Sequence, residues 1–138
     1  SLCIRNKSEK GRVIIMNYVD RADSVMKKLY EGNRSKKMTT SQIRNLLSSM
    51  SDIYNDVVRS DEVLSPEIVS RIQYLKVQFI YEYGRDDPRE ACVRKFMDES
   101  GIINEIDKIG DSKQRFIDTE RYMEALVAYH RYYGGKDC

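Results

Sequence analysis

Histidine occurs once in the 138 residues, as His130, and cysteine three times, as Cys3, Cys92 and Cys138. These side chains decide which catalytic chemistries the chain can support. A Ser- or Cys-based triad needs a histidine base beside a nucleophile, and no G-x-S-x-G or comparable setting accompanies His130. His130 shares an apolar helical stripe with Phe116, Met123, Leu126 and Val127. There a lone histidine is far more often packed and hydrogen-bonded than catalytic. The cysteines are odd in number and far apart, which matches neither a metal cluster nor a disulfide framework and suits a reducing cytoplasm. Cys92 falls on the inward side of a helix and reads as a small buried hydrophobe. The clustered carboxylates, Asp61-Glu62, Asp86-Asp87 and Asp98-Glu99, stand at helix ends, where caps and dipole partners belong. No catalytic residue, metal site or cofactor is expected, and nothing argues for an enzyme.

The cations are more informative. Arg44, Ser48, Ser51, Asn55 and Arg59 recur at helical spacing, with positive charge at both ends and only small neutral hydrogen-bonding side chains between. A face that approaches phosphates is built this way, because carboxylates would repel the ligand. Arg71, Tyr74, Gln78, Tyr81 and Arg85 form a second series, in which Arg can pair with phosphate while Tyr stacks on a base or bonds a 2′-hydroxyl. Tyrosines at the edge of a helical bundle also half-bury their rings with no ligand involved. Net charge is only +2, yet residues 1–51 hold eleven Lys+Arg against four Asp+Glu, and residues 52–138 hold thirteen against eighteen. That split permits a basic face on a nearly neutral protein, which suits binding to a phosphate backbone. A solvated charged surface is the plainer account of the same numbers.

Helices must position these groups. The length suits one domain, and no segment has a strand period. Residues 1–15 differ in character from the remainder of the chain and are expected to be an N-terminal extension, either a cloning remnant or a flexible basic arm carrying Arg5, Lys7, Lys10 and Arg12; the helical domain is expected over residues 16–138. The first helix is expected from Asn17 to Glu31, with Val19, Ala22, Val25, Met26 and Leu29 inward. The second spans about Thr40 to Val58 behind a Thr39-Thr40-Ser41 cap, with Ile43, Leu46, Leu47, Met50, Tyr54, Val57 and Val58 buried and Asn45, Ser49, Asp52 and Asp56 in solvent. Ser65-Pro66 opens the third, with Ile68, Val69, Ile72, Leu75, Phe79 and Ile80 inward as far as Gly84. Asp87-Pro88-Arg89-Glu90 predicts a short helix to about Ser100, and Ile102, Ile103, Ile106 and Ile109 another. The last helix, Ser112 to about Tyr133, is apolar or aromatic around most of its circumference and is expected at the centre, with His130 and most of its tyrosines inside. The result is an all-α, compact bundle of five to six helices. No apolar run reaches membrane-spanning length.

The segments TTSQIRNLLSSMSDIYNDV (Thr39–Val57), RIQYLKVQFIYEYGR (Arg71–Arg85) and RYMEALVAYHRYYGGKD (Arg121–Asp137) resemble the small subunit of the type III-A CRISPR, or Csm, effector complex. The likeness runs from about Met16 to the C-terminus, and the Tyr-rich run closing on Gly-Gly-Lys is its most specific piece. It implies a non-catalytic helical bundle that works in antiviral defence. Such a subunit stacks in two or more copies and contacts crRNA and target single-stranded RNA without reading sequence, alongside the large and backbone subunits. Carried onto the matched segments, the implied RNA-binding residues are Arg44 first, then Arg71, Arg85 and Arg121, with Lys36 and Lys37 just upstream and Arg59 closing the Arg44 stripe.

Two other functions compete. A helical protein–protein scaffold without RNA contact accounts equally for the charged faces. A helix-turn-helix DNA regulator would need a recognition helix rich in base-reading side chains, and the helix opened by Pro66 exposes Tyr and Gln instead.

Overall fold

A computed structural model describes the backbone of residues 7–30 and 38–134, with side chains from Tyr18 onward. The described chain is all helical: α1 (Lys7–Tyr30), α2 (Thr40–Val58), α3 (Pro66–Arg85), α4 (Cys92–Ser100), α5 (Ile102–Asp107) and α6 (Lys113–Tyr132). The starts of α2, α3 and α6 follow from local chemistry. Thr39 and Gln42 form a reciprocal capping box, the Gln42 N–H donating to Thr39 Oγ1 at 3.0 Å and the Thr39 N–H to Gln42 Oε1 at 2.8 Å. Ser65 caps α3 with Pro66 in its first turn, and Ser112 Oγ accepts from the Arg115 N–H to cap α6.

Helix α6 is the organising element. It packs along α1 on one side and α2 on the other, while α3 lies outside α2, and α4 and α5 close the bundle between α1, α3 and α6. The α2–α6 pair is antiparallel and pinned at both ends. Lys113 Nζ donates to the Val58 and Ser60 carbonyls, and His130 Nε2 donates to the Met38 carbonyl at 2.6 Å. His130 is fully buried, with Tyr30 edge-on at 5.5 Å, so it is a packed structural residue as expected. Cys92 is buried too, and burial raises its thiol pKa.

Several expectations give way. α1 begins at Lys7, well before Asn17, since its first turns contain no proline to prevent a helix. Val19, Val58 and Ile80 are exposed rather than inward, because each lies just beyond the arc its neighbours cover. Tyr122 is fully buried and Tyr129 and Tyr133 half-buried, but Tyr132 points into solvent. The start of α4 differs most. Pro88-Arg89-Glu90 forms a turn over Asp87, and Ala91 then breaks it with a left-handed φ of 50°. The cap of α4 comes from Asp86, whose Oδ2 accepts from the Val93 and Arg94 N–H groups at 3.0 Å each.

A polar hub joins four helices around Arg21. Its Nη1 donates to Glu105 Oε1 at 2.8 Å and its Nη2 to the Ser100 carbonyl at 2.9 Å, while the guanidinium lies 4.8 Å from the Tyr122 ring centroid. Tyr122 Oη donates to the same Ser100 carbonyl at 2.7 Å, and the ring stacks on Tyr18. Burial pushes the Tyr122 hydroxyl up to about 12, so it remains a donor.

Candidate nucleic-acid interface

Helix α2 buries Ile43, Leu46, Met50, Ile53 and Val57, which divides its polar residues into two separate strips. Arg44, Ser48 and Asn55 project on one side. Among the described residues Arg44 is exposed and makes no ion pair or hydrogen bond, so its guanidinium keeps all five donors for a ligand. On the other strip Gln42, Asn45 and Ser49 line a groove of about 1000 Å³ whose opposite wall is Tyr74, Val77, Gln78, Tyr81 and Arg85 of α3. A smaller hollow of about 360 Å³, which shares Ser49, Tyr74 and Gln78, extends the groove to Arg71. The Arg–Tyr–Gln–Tyr–Arg series therefore lies along one continuous surface, flanked by the α2 strip that was expected to be plain solvent surface.

The arginines of this surface are not free. Asp56 bridges two of them, accepting from Arg71 Nη1 at 2.5 Å and from Arg59 Nη2 at 2.8 Å, and Arg71 Nη2 also donates to the Asp52 carbonyl. The hydrogen bond from Arg71, and then that from Arg59, holds the Asp56 carboxyl below its usual range. Arg85 pairs with Glu82 at 3.1 Å, and Asp86, Asp87 and Glu90 crowd the same end of the groove. Arg121, on the outer side of α6, is exposed and has no ion pair or hydrogen bond among the described residues. Lys36 and Lys37 lie outside the described residues. The seven candidates thus fall into two free guanidiniums, Arg44 and Arg121, three arginines tied to carboxylates, and two lysines not located.

Two features went unread in the sequence. The Asp56 clamp was hidden because Arg71 reaches it from another helix. Glu120 was legible in principle, since it sits four residues after Phe116 and three before Met123, on the core stripe. It is only 4% exposed, and its Oε2 meets no hydrogen-bond partner. Burial first, and then Glu124, push its carboxyl up to about 8.

The chain is similar to known proteins over most of its length. A family model described as Csm2 Type III-A matches residues 15–136. A Streptococcus thermophilus protein named CRISPR system Cms protein Csm2 is 42% identical over 124 residues, covering 88% of this chain and 94% of its own. Proteins of the same name from Enterococcus italicus and Mycobacterium tuberculosis are each 33% identical, over 137 and 126 residues, and cover 92% and 91% of this chain.

Proposed function

Since the chain belongs to the Csm2 family and is a small subunit of the type III-A CRISPR complex, we propose that it is a non-catalytic RNA-contacting subunit. It stacks in copies along the crRNA–target RNA duplex and grips phosphates without reading bases. The observation that carries this reading is the pair of exposed arginines, Arg44 and Arg121, that form no ion pair among the described residues. Arg44 also heads a strip, Ser48, Ser51 and Asn55, that holds hydrogen-bonding groups and no negative charge. Phosphate contacts fix position and supply affinity but carry no sequence information. Arg59, Arg71 and Arg85 contribute less while their acids hold them. A patch this small binds weakly as one subunit, and copies stacked on one RNA gain affinity through effective concentration.

The test is fluorescence anisotropy with labelled single-stranded RNA of several sequences over a salt series. Log affinity should fall with log salt by about 0.7 per phosphate neutralised. Arg44→Glu with Arg121→Glu should weaken binding for every sequence alike and flatten that slope. Binding that ignores both changes, or that discriminates strongly between sequences, defeats the reading.

A further inference from the structure

Tyr132 is 75% exposed, more than any other large apolar side chain among the described residues. It is nevertheless held in place. Its ring stands at 86° to Tyr129 and 75° to Tyr133, with centroids 6.2 and 5.0 Å away, and those two rings lie nearly parallel to each other at 25°. Tyr133 is in turn anchored to α1, its Oη donating to Asp23 Oδ1. A ring fixed by two edge contacts has given up part of its rotamer freedom before any ligand arrives. No described ring lies parallel on it, which leaves a face for a flat ligand.

Tyr132 also shares a row with Arg121. Steps of four, three and four residues put Arg121, Ala125, Ala128 and Tyr132 on one side of α6, away from its buried residues. The exposed guanidinium at one end, without an ion pair or hydrogen bond among the described residues, lies about 16 Å along the helix from the ring at the other. The two alanines between them let a strand lie close to the helix. The helix dipole sorts the ends, because the C-terminal turn at Tyr132 carries partial negative charge that disfavours a phosphate but not a neutral base. No other large apolar side chain of α6 is exposed. A protein partner needs an apolar core of several adjoining side chains, whereas one ring is enough for a nucleobase.

We infer that the outer row of α6 is a track for single-stranded RNA, in which Arg121 takes a phosphate and Tyr132 stacks on a base. This rests on the RNA-contacting reading above and adds an uncharged contact to it. Every base has a face to stack, so sequence is still not read.

The chain contains no Trp, so Tyr132→Trp supplies a single fluorescent reporter and keeps the aromatic face. Adding single-stranded RNA should quench its emission. By anisotropy, Tyr132→Ala should weaken binding about tenfold, within the range for losing one stacked base. The salt slope should not change, since no charge is removed, and Tyr132→Phe should bind like the parent. On an abasic strand of equal length, Tyr132→Ala and the parent should bind alike. Parental affinity for Tyr132→Ala, a loss that persists on the abasic strand, or Tyr132→Trp emission that responds to other subunits of the complex and not to RNA overturns the inference. Each of these leaves salt-dependent binding through Arg44 and Arg121 standing. Absence of RNA binding at any salt overturns both.

Discussion

Glu120 stands where the helical repeat of α6 calls for a hydrophobe, and its surroundings oppose its charge. An ionised carboxylate this deep, with one oxygen unbonded and Glu124 one turn away, is disfavoured against the neutral acid. The folded chain therefore holds a proton that an unfolded glutamate releases near pH 4.3. Stability from this residue is intact below that pH and drains away as pH rises toward about 8. Glu120→Gln removes the titration. Measured by urea unfolding from pH 4 to pH 9, the variant should gain on the parent as pH rises, by at least about 1.4 kcal/mol, the worth of one pKa unit. Parallel pH profiles would mean that Glu120 is solvated. Ala91 is a second residue out of place, an L-amino acid at φ 50°. A left-handed conformation costs such a residue about 1–2 kcal/mol, so Ala91→Gly should leave stability unchanged or raise it by up to about 1 kcal/mol after glycine's entropy is counted.

Among the elements, the corner between α4 and α5 leaves no room for a side chain without displacing Arg21. Gly101 has φ +65°, and a Cβ there would lie 2.9 Å from Arg21 Nη2. The same guanidinium holds the Ser100 carbonyl and Glu105, and so ties α1 to α4 and α5. Gly101→Ala should cost about 1–2 kcal/mol from backbone strain alone, and more by displacing Arg21; a thermal midpoint unchanged from the parent would contradict this. Gly101 was legible as a helix stop, but its closeness to Arg21 was not, since that depends on a residue 80 positions away. The same distinction runs through the fold. The Thr39, Ser65 and Ser112 caps, the ends of α2 and the central place of α6 could be read because each depends on a few neighbouring residues. The Asp86 cap of α4, the exposure of Ile80 and the Asp56 bridge could not, because a partner from elsewhere in the chain settles each. The candidate site was legible as residue types and helical spacing, and its division into free and tied arginines was not.

For the whole molecule, that division sets how strongly the protein holds a polyanion. Asp56 sits between Arg59 and Arg71 on the surface, where the pairs are exposed and screened by salt, so breaking them should barely move the unfolding midpoint. Asp56→Asn replaces the shared anion with a neutral amide and leaves two guanidiniums with unfilled donors beside Asn55 and Tyr74. Net charge rises by one from +2, and the added positive potential is local to the α2–α3 edge. If Arg59 and Arg71 can reach phosphate, single-stranded RNA should then bind more tightly at low salt, with the salt slope steeper by about 0.7 for each new phosphate contact. The triple change Asp56→Asn, Arg59→Gln, Arg71→Gln should return both quantities to the parental values or below. An Asp56→Asn protein with parental affinity and slope would remove Arg59 and Arg71 from the RNA surface and leave Arg44 and Arg121 as its described cations.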